Sequence, residues 1–519
     1  MVRAEMLNRV KARKKVWDFI IIGGGASGVG CAVDAAARGF DVLLLEQHDF
    51  GKGTSSRSTK LVHGGVRYLA QGNVSLVREA LQERGILFKN ASHLVKIQSF
   101  VVPCYSRWQK FFYGTGLKTY DLLSGKYGFG KSKILSTKDT LEKVPNLKSE
   151  NLRGSVVYLD GQFDDARLLI NLVTTAAEQG ATLLNYAKVF ELTKNAQNKI
   201  EGVKFQDAET NQEFCAKAKI VVNATGAFCD SVRKLSDGNA EQIIAASQGI
   251  HLVFDKSFLP LENALMIPNT SDGRILFVIP WQGKTLVGTT DTPIEKLELE
   301  PKALEKEIEF VLETAQNYLV KSPRRADILS IFVGIRPLVK KDKTKNTAAL
   351  PRDHTIEIDE SRLLTITGGK WTTYRRMAED AVNHAIAKTD LPEKSCLTKN
   401  LQIHGSGKGA KTFSDLSIYG SDAEKIQKLI DENPHLAEKI HPALPYYLAE
   451  IVWAIRFEMA RSVEDVLARR TRALFLNAQA AIECAPKVAE IMAQELIKDE
   501  DWVEKQIGEF NFVAQNYLL

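Results

Sequence analysis

The sequence contains no run of 18 apolar residues, so it offers no membrane-spanning helix. Its opening stretch, Met1 to Val16, lacks the apolar core of a signal peptide. The basic run Lys11-Ala-Arg-Lys-Lys15 within it reads as a solvated lead-in. Six cysteines are scattered at Cys31, Cys104, Cys215, Cys229, Cys396 and Cys484. None forms C-x-x-C or any other metal spacing. That argues against zinc, iron–sulfur and redox-disulfide chemistry, and for a reducing compartment. No metal is expected. The formal charge of +6 over 519 residues is too mild to imply nucleic acid. It suits an anionic substrate or an anionic membrane surface. There are no internal repeats and no long low-complexity tracts.

What the sequence does have is length and an ordinary enzyme composition. At 519 residues it exceeds one core, so two or three domains are expected. Hydrophobic residues make up 44% and charged residues 25%, enough to bury a large core around a sizeable cofactor.

The strongest signal comes early. Asp18-Phe-Ile-Ile-Ile22 is an apolar β run leading into Gly23-Gly-Gly-Ala-Ser-Gly28, with Ala26 and Ser27 between the last two fingerprint glycines. A helical stretch follows from Val29 to Arg38, then a second apolar run, Asp41–Leu45, ending at Glu46-Gln47. This is a βαβ unit with G-x-G-x-x-G at Gly23, Gly25 and Gly28, and an acid close to the expected ~20 positions on. Gly23 makes the tight turn, Gly25 admits a pyrophosphate and Gly28 lets helix and strand pack closely. The helix N-terminus faces the phosphates. Glu46 accepts from ribose hydroxyls. A dinucleotide cofactor follows.

Other segments are weaker on their own. Gly51–Lys60 is glycine- and hydroxyl-rich and can wrap a cofactor. Gly125-Lys-Tyr-Gly-Phe-Gly-Lys-Ser132 matches a P-loop letter for letter, yet Leu117–Leu123 before it reads as helix and no helix opens after Ser132. A nucleoside-triphosphate site is therefore not expected. Residues 73 to 123 read as mainly helical. Asp164-Asp-Ala-Arg167 opens another helix, its aspartates near the positive end. Short strands are expected at Thr182–Asn185, Val189–Thr193 and Ile200–Phe205. Ile220–Gly226 is an apolar strand ending in a small-residue turn, where a sheet admits a ligand. Residues 250 to 340 read as strands around a helix near Pro301–Leu319. Leu363–Thr367 runs through Gly368-Gly369 into a helix. From Ser414 the pattern is helical, including Val463–Arg472 and Pro486–Leu496, with Pro486 placed at a first helical position.

Together these motifs resemble the FAD-dependent glycerol-3-phosphate dehydrogenases of the aerobic, quinone-linked type. The resemblance covers nearly the whole chain. It includes Thr54-Ser-Ser56, Lys60-Leu-Val-His-Gly-Gly-Val-Arg-Tyr68, Asp164-Asp-Ala-Arg167, Asn223-Ala-Thr-Gly226, Val278-Ile-Pro-Trp281, Gly288-Thr-Thr-Asp291, Gly334-Ile-Arg-Pro337 and Gly368-Gly-Lys-Trp-Thr-Thr-Tyr374. It implies an α/β fold: a Rossmann-like FAD-binding domain of the glutathione-reductase/D-amino-acid-oxidase type, an interleaved β-rich substrate domain and a C-terminal all-helical domain. Residues 1–390 would hold the first two, with the substrate part mainly at about 95–150 and 245–340. Residues 391–412 would be a linker and 413–519 the helical domain.

The implied reaction is oxidation of glycerol 3-phosphate to dihydroxyacetone phosphate, with hydride passing from C2 to FAD and electrons to a membrane quinone. The substrate pocket would fall on Arg67, Tyr68, Arg336 and Lys370. Flavin contacts would fall on Gly23–Gly28, Glu46, Gln47, Thr54, Ser55, Ser56, Lys60, Leu61, His63, Gly64, Gly65, Thr225, Gly226, Gly369, Lys370, Trp371 and Thr372. A phosphomonoester near −2 wants convergent cations with forked donors, which Arg67, Arg336 and Lys370 supply. A general base must take the hydroxyl proton, and His63 and His251 are both candidates. A quinone partner implies peripheral attachment to the cytoplasmic face of the membrane, and Phe111-Phe-Tyr113 beside Trp108 and Lys110 is a candidate contact surface. A homodimer is also expected. The alternatives are an α-glycerophosphate oxidase passing electrons to oxygen, an amine or amino-acid oxidase, and a binding protein on the same fold.

Overall fold

The computed structural model describes residues 1–70, 72–268, 270, 273–340, 353–407 and 415–519, with the side chains of Arg67 and Ala70 left aside. Lys408 and Gly409 of the Gly405–Gly409 stretch, and residues 410–412 of the expected linker, therefore fall outside the described residues.

Two sheets organise the molecule. The first has the order His354–Ile358, Leu363–Gly368, Glu213–Asn223, Trp17–Ile22, Val42–Leu45, Thr182–Leu184. All of its neighbours are parallel except the outer pair His354–Ile358 and Leu363–Gly368. The inner stretches of its central strands, Phe19–Ile22, Val42–Leu45 and Ile220–Val222, are apolar because helices cover both faces. The helix Ala26–Ala37 packs between Tyr374–Ala387 and Asp165–Glu178. Gly30 permits that approach: a Cβ there would come within 3.1 Å of Tyr374. The strands Ala187–Lys194 and Ile200–Asp207 form an antiparallel extension on Glu213–Asn223.

The second sheet is larger. Ile244–Asp255, Leu276–Trp281, Lys284–Gly288 and Ser330–Val339 form one antiparallel part, and Val95–Pro103 and Ser155–Phe163 a second antiparallel part. The helical region from residue 415 onward buries its apolar face under this sheet. Phe332, Trp281 and Leu286 share one core with Val466, Phe475, Val488 and Phe510.

The structure corrects several expectations. Residues 73–123 are not continuous helix, because the strand Val95–Pro103 separates Val74–Asn90 from Arg107–Ser124. Ser155–Phe163 is a long internal strand, next to the sheet edge, that the sequence did not announce. Pro486 lies in the interior of a 19-residue helix, Ala478–Leu496. The start of that helix is set by Asn477, whose side chain accepts from the Ala480 N–H at 3.1 Å. Proline there leaves one carbonyl without its donor, and the alanine-rich buried face outweighs that cost. Val463–Arg472 is a π turn over Asp465–Arg470 that breaks at Thr471, not a continuing α-helix. The P-loop look-alike behaves as expected: Arg107–Ser124 is helix, a 3₁₀ turn follows, and the strand Lys133–Leu135 comes after.

Candidate active site

The helix Ala26–Ala37 starts directly at the fingerprint, and its N-cap residue, Gly25, has no side chain to cap it. Its first-turn amides and dipole favour an anion there. Gly23 has φ +111°, and a Cβ would fall 2.7 Å from the Ala224 carbonyl oxygen. A Cβ on Gly28 would fall 2.0 Å from the Gly23 carbonyl oxygen, so Gly28 serves packing and does not line the cleft. A Cβ on Gly25 meets only Ser55 Oγ, at 3.1 Å, leaving space on the cleft side.

The cleft that opens here has a volume of about 520 Å³. Gly23, Gly25, Ala26, Ser27, Glu46, Gln47, Thr54, Ser55, Thr225, Gly226, Gly369, Lys370 and Trp371 line it. Glu46 accepts from the Gly24 N–H at 2.6 Å and the His48 N–H at 2.8 Å. Burial pushes its carboxyl pKa upward, partly offset by those two amides. Ser55 accepts from the Ala26 N–H at 2.9 Å, and the Trp371 indole donates to the Ser55 carbonyl at 2.8 Å. A helix N-terminus opening on the cleft, a glycine-made gap and an acid on the wall match what a dinucleotide requires.

A second cleft of about 230 Å³ continues from the first. The two share Thr54, Pro337, Gly368, Gly369, Lys370 and Trp371. Leu61, His63, Tyr68, His251, Arg336 and Thr372 complete much of its wall. Two strands of the second sheet present its polar groups, since Arg336 pairs with Ser247 and His251 with Phe332. Gly249 makes room for Arg336: a Cβ there would sit 2.5 Å from its Nη2. The guanidinium donates to the Thr290 carbonyl at 2.8 Å and to Thr289 Oγ1 at 3.2 Å. Asp291 lies 3.3 Å from its Nη1. Lys370 Nζ lies 3.9 Å from the centre of the Tyr68 ring.

His251 is 3% exposed. Its Nε2 is hydrogen-bonded with Thr59 Oγ1 at 2.9 Å, and its ring stacks on Phe332 at 4.8 Å. Burial, then Lys60 and Arg336, drive its pKa well below the usual histidine value, so the ring stays neutral. The His63 N–H donates to Thr372 Oγ1 at 3.2 Å.

Besides Gly24 and Gly28, four further predicted cofactor contacts line neither cleft. Lys60 is fully buried and turns from the cavity to Asp165, at 2.7 Å, and to the Ser56 carbonyl, at 2.8 Å. Burial alone would raise the Asp165 carboxyl; Lys60 and Arg472 overcome this and hold it below the usual range. Ser56 is buried beneath the cavity wall. The Gly64 N–H donates to the Tyr120 hydroxyl at 2.8 Å, and Gly65 turns the chain at φ +75° under the Tyr68 ring. Arg67 stands in the short helix Val66–Ala70, its side chain outside the described residues. Residues not singled out as site residues from sequence also matter. Thr59 orients His251, and Gly249, Thr289 and Asp291 position Arg336. The Gly288–Asp291 motif was the available signal, but nothing in its letters showed that it braces an arginine.

Comparison with known proteins agrees with this geometry. The family model of FAD dependent oxidoreductases matches residues 18–372, and that of the C-terminal domain of alpha-glycerophosphate oxidase matches residues 364–503. A probable mitochondrial glycerol-3-phosphate dehydrogenase of Dictyostelium discoideum is 40% identical, over 96% of this chain and 84% of its own. The chain belongs to the FAD-dependent glycerol-3-phosphate dehydrogenase family. Its human mitochondrial relative is 39% identical, over 95% of this chain and 72% of its own. The structure of a Bacillus halodurans glycerol-3-phosphate dehydrogenase complexed with FAD superposes with a TM-score of 0.81, at 29% identity, over 99% of this chain and 97% of that one. An L-alpha-glycerophosphate oxidase from Mycoplasma pneumoniae, at 15% identity and TM-score 0.58, covering 74% of this chain and 97% of its own, shares the fold. The protein is an FAD-dependent enzyme of the D-amino-acid-oxidase-type fold with a helical C-terminal region.

Proposed function

We propose that the enzyme oxidises sn-glycerol 3-phosphate to dihydroxyacetone phosphate and passes the electrons to a membrane quinone. The observation that carries the reading is the small cleft itself: a cationic pocket that joins the dinucleotide cleft at Lys370. FAD, when bound, supplies the acceptor for the C2 hydride.

The chain's own residues account for the rest. Arg336 and Lys370 bind the phosphate, with Arg67 as a third cation from the adjacent short helix. Forked guanidinium donors suit a phosphomonoester. Tyr68 orients Lys370 through its ring. His251, kept neutral by burial, takes the C2 hydroxyl proton as the hydride leaves, and Thr59 fixes the ring. His63 is the second candidate. Gly25, Ala26 and Ser27 hold the cofactor pyrophosphate, and Glu46 holds a ribose. Thr54, Ser55, Thr225, Gly226 and Trp371 flank the remainder. The division into residues 1–390, 391–412 and 413–519 is part of the same reading.

Quinone reduction requires reaching a bilayer. No helix among the described residues is long and apolar enough to cross a membrane. Attachment to the cytoplasmic face would be peripheral. The deciding experiment mixes the holoenzyme anaerobically with glycerol 3-phosphate and follows flavin bleaching, then adds a quinone analogue or oxygen. Bleaching with fast quinone reoxidation supports the reading. No bleaching overturns the substrate, and fast peroxide formation without quinone reduction favours the oxidase alternative.

A further inference from the structure

The segment from Glu46 to Lys60 carries Glu46, Gln47, Thr54 and Ser55 on the cleft wall. It has almost no regular structure of its own, only the 3₁₀ turn Thr54–Ser56. A strap with so few internal backbone hydrogen bonds, such as Lys52 N–H to the Asp49 carbonyl and Arg57 N–H to the Thr54 carbonyl, needs outside constraint to keep one shape. Its far side is gripped by the helical C-terminal region at three points.

The first point is Asp49. Arg470 donates to both its oxygens, at 2.6 and 2.8 Å, and Arg469 Nε donates to it at 2.6 Å. The second is Lys52, which lines the cleft and pairs with Glu464 from the helical region and with Glu300 at 2.8 Å. The third is Ser56, whose carbonyl accepts from Arg472 Nη2 at 2.6 Å. Asp49, Arg469, Arg470 and Arg472 are all buried. The wide π turn over Asp465–Arg470 brings two consecutive arginines onto one carboxylate. Such turns occur mainly as local insertions at functional sites. The guanidinium groups are fixed from behind as well: Arg469 reaches Glu464 and Asp465, each at 2.7 Å, and Arg472 reaches the Ala468 carbonyl at 2.7 Å.

We propose that Arg469, Arg470 and Arg472 are positioning residues that fasten the strap in its FAD-binding shape, so that FAD leaves only when this part of the helical region undocks. The inference rests on Thr54 and Ser55 facing FAD. Linkage makes the coupling reciprocal: FAD must in turn tighten the docked segment.

The test uses holoenzyme carrying Arg470→Lys or Arg472→Gln. FAD release is followed by the rise of free-flavin fluorescence on dilution, and hydrogen exchange of residues 464–472 is compared with and without FAD. Losing one charge-assisted bond should speed release about tenfold or more. The KM for glycerol 3-phosphate should be unchanged when FAD is in excess, and exchange at 464–472 should slow when FAD is added. Val488→Ala is the control. It removes core volume within the helical region, lowers the melting temperature and should leave FAD release unchanged. If Arg470→Lys does not fold, Glu464→Gln carries the same measurement. Wild-type release in the charge variants overturns the fastener. So does release in Val488→Ala that is as fast as in Arg470→Lys at equal loss of melting temperature. Weakened FAD binding in Ser55→Ala and Gly25→Ala, with wild-type release in Arg470→Lys, sinks only the fastener; wild-type binding in the first two sinks the cofactor-site reading on which it rests.

Discussion

The Lys370 ammonium and the Tyr68 ring face each other at 3.9 Å where the two clefts meet. An ammonium over an aromatic face keeps its charge while losing freedom. Its place at the junction lets one side chain address both substrate and cofactor. Arg336→Ala and Lys370→Ala should therefore lower kcat/KM by roughly 30-fold to several-thousand-fold, matching about 2–5 kcal/mol for one partner of a desolvated charge pair. FAD content, read from the visible spectrum, should persist in Arg336→Ala. Near wild-type kinetics in that variant would remove the phosphate clamp.

His251 should be neutral throughout the working pH range. Its replacement by asparagine is expected to lower kcat about 10²–10⁴-fold, more than His63→Asn does. Stability gives an independent check. The folded-state pKa lies below that of the unfolded chain, so the unfolded state takes up the proton first as pH falls. The wild type should lose stability below about pH 6.5, and His251→Asn should lose less of it over that interval. Equal urea midpoint shifts between pH 7.5 and 5.5 in both proteins would contradict a buried neutral ring.

Gly25 and Gly28 should fail differently when changed to alanine. At Gly28 the new carbon would overlap the Gly23 carbonyl at 2.0 Å, so the protein should misfold. At Gly25 its nearest neighbour is Ser55 Oγ at 3.1 Å, so the chain should fold yet hold FAD poorly. Far-ultraviolet circular dichroism together with flavin content separates the outcomes. Full flavin content in a folded Gly25→Ala protein would move the pyrophosphate elsewhere.

His404 bridges Glu178 at 2.7 Å and Asp422 at 2.5 Å, tying the helix Asp165–Glu178 to the helical region. Burial works against its charge, but the hydrogen bonds its ring donates to the two carboxylates win and raise its pKa to about 9. A raised folded-state pKa stabilises fully below the unfolded value and fades as pH climbs through the folded one. His404→Gln should thus be destabilised most at pH 6 and approach the wild type above about pH 9. A pH-independent difference in melting temperature would refute the bridge as an ionic one.

Trp108, Phe111 and Phe112 project from one helix and are 69%, 63% and 50% exposed. A cluster of that composition is ordinarily buried, so its exposure fits a lipid contact. Replacing the three with serine should weaken co-sedimentation with anionic liposomes. Apolar insertion would survive high salt, whereas electrostatic attachment would not. Unchanged liposome binding in the triple variant would place any membrane contact on another face.

The legible parts of the molecule were those where local pattern and tertiary role coincide. Gly23, Gly25, Gly28 and Glu46 sit in one contiguous unit whose letters already dictate strand, turn and helix. Ser155–Phe163 escaped because both its faces are buried, which erases the alternation that marks a strand. Its Asp160 reads as a surface residue, yet it is sealed inside by Arg84 at 2.8 Å and Tyr120 at 2.6 Å. Lys60 misled for a related reason. It follows the hydroxyl-rich loop that borders the cleft, but its partner Asp165 lies 105 positions away, and no local pattern shows which side of the wall a side chain takes. Pro486 shows the opposite error, in which a strong local rule was outweighed by packing that sequence does not display.

The parallel sheet has a consequence for how the chain is made. Its adjoining strands Trp17–Ile22, Glu213–Asn223 and Leu363–Gly368 come from widely separated stretches of the message. A ribosome adding about 5–20 residues per second leaves the first strand waiting tens of seconds for its last companion. Until then Phe19, Ile20 and Ile21, wholly buried in the finished protein, lack their permanent cover. Nascent chains should therefore depend on chaperones for most of synthesis, and translation stalled short of residue 363 should yield an aggregating fragment.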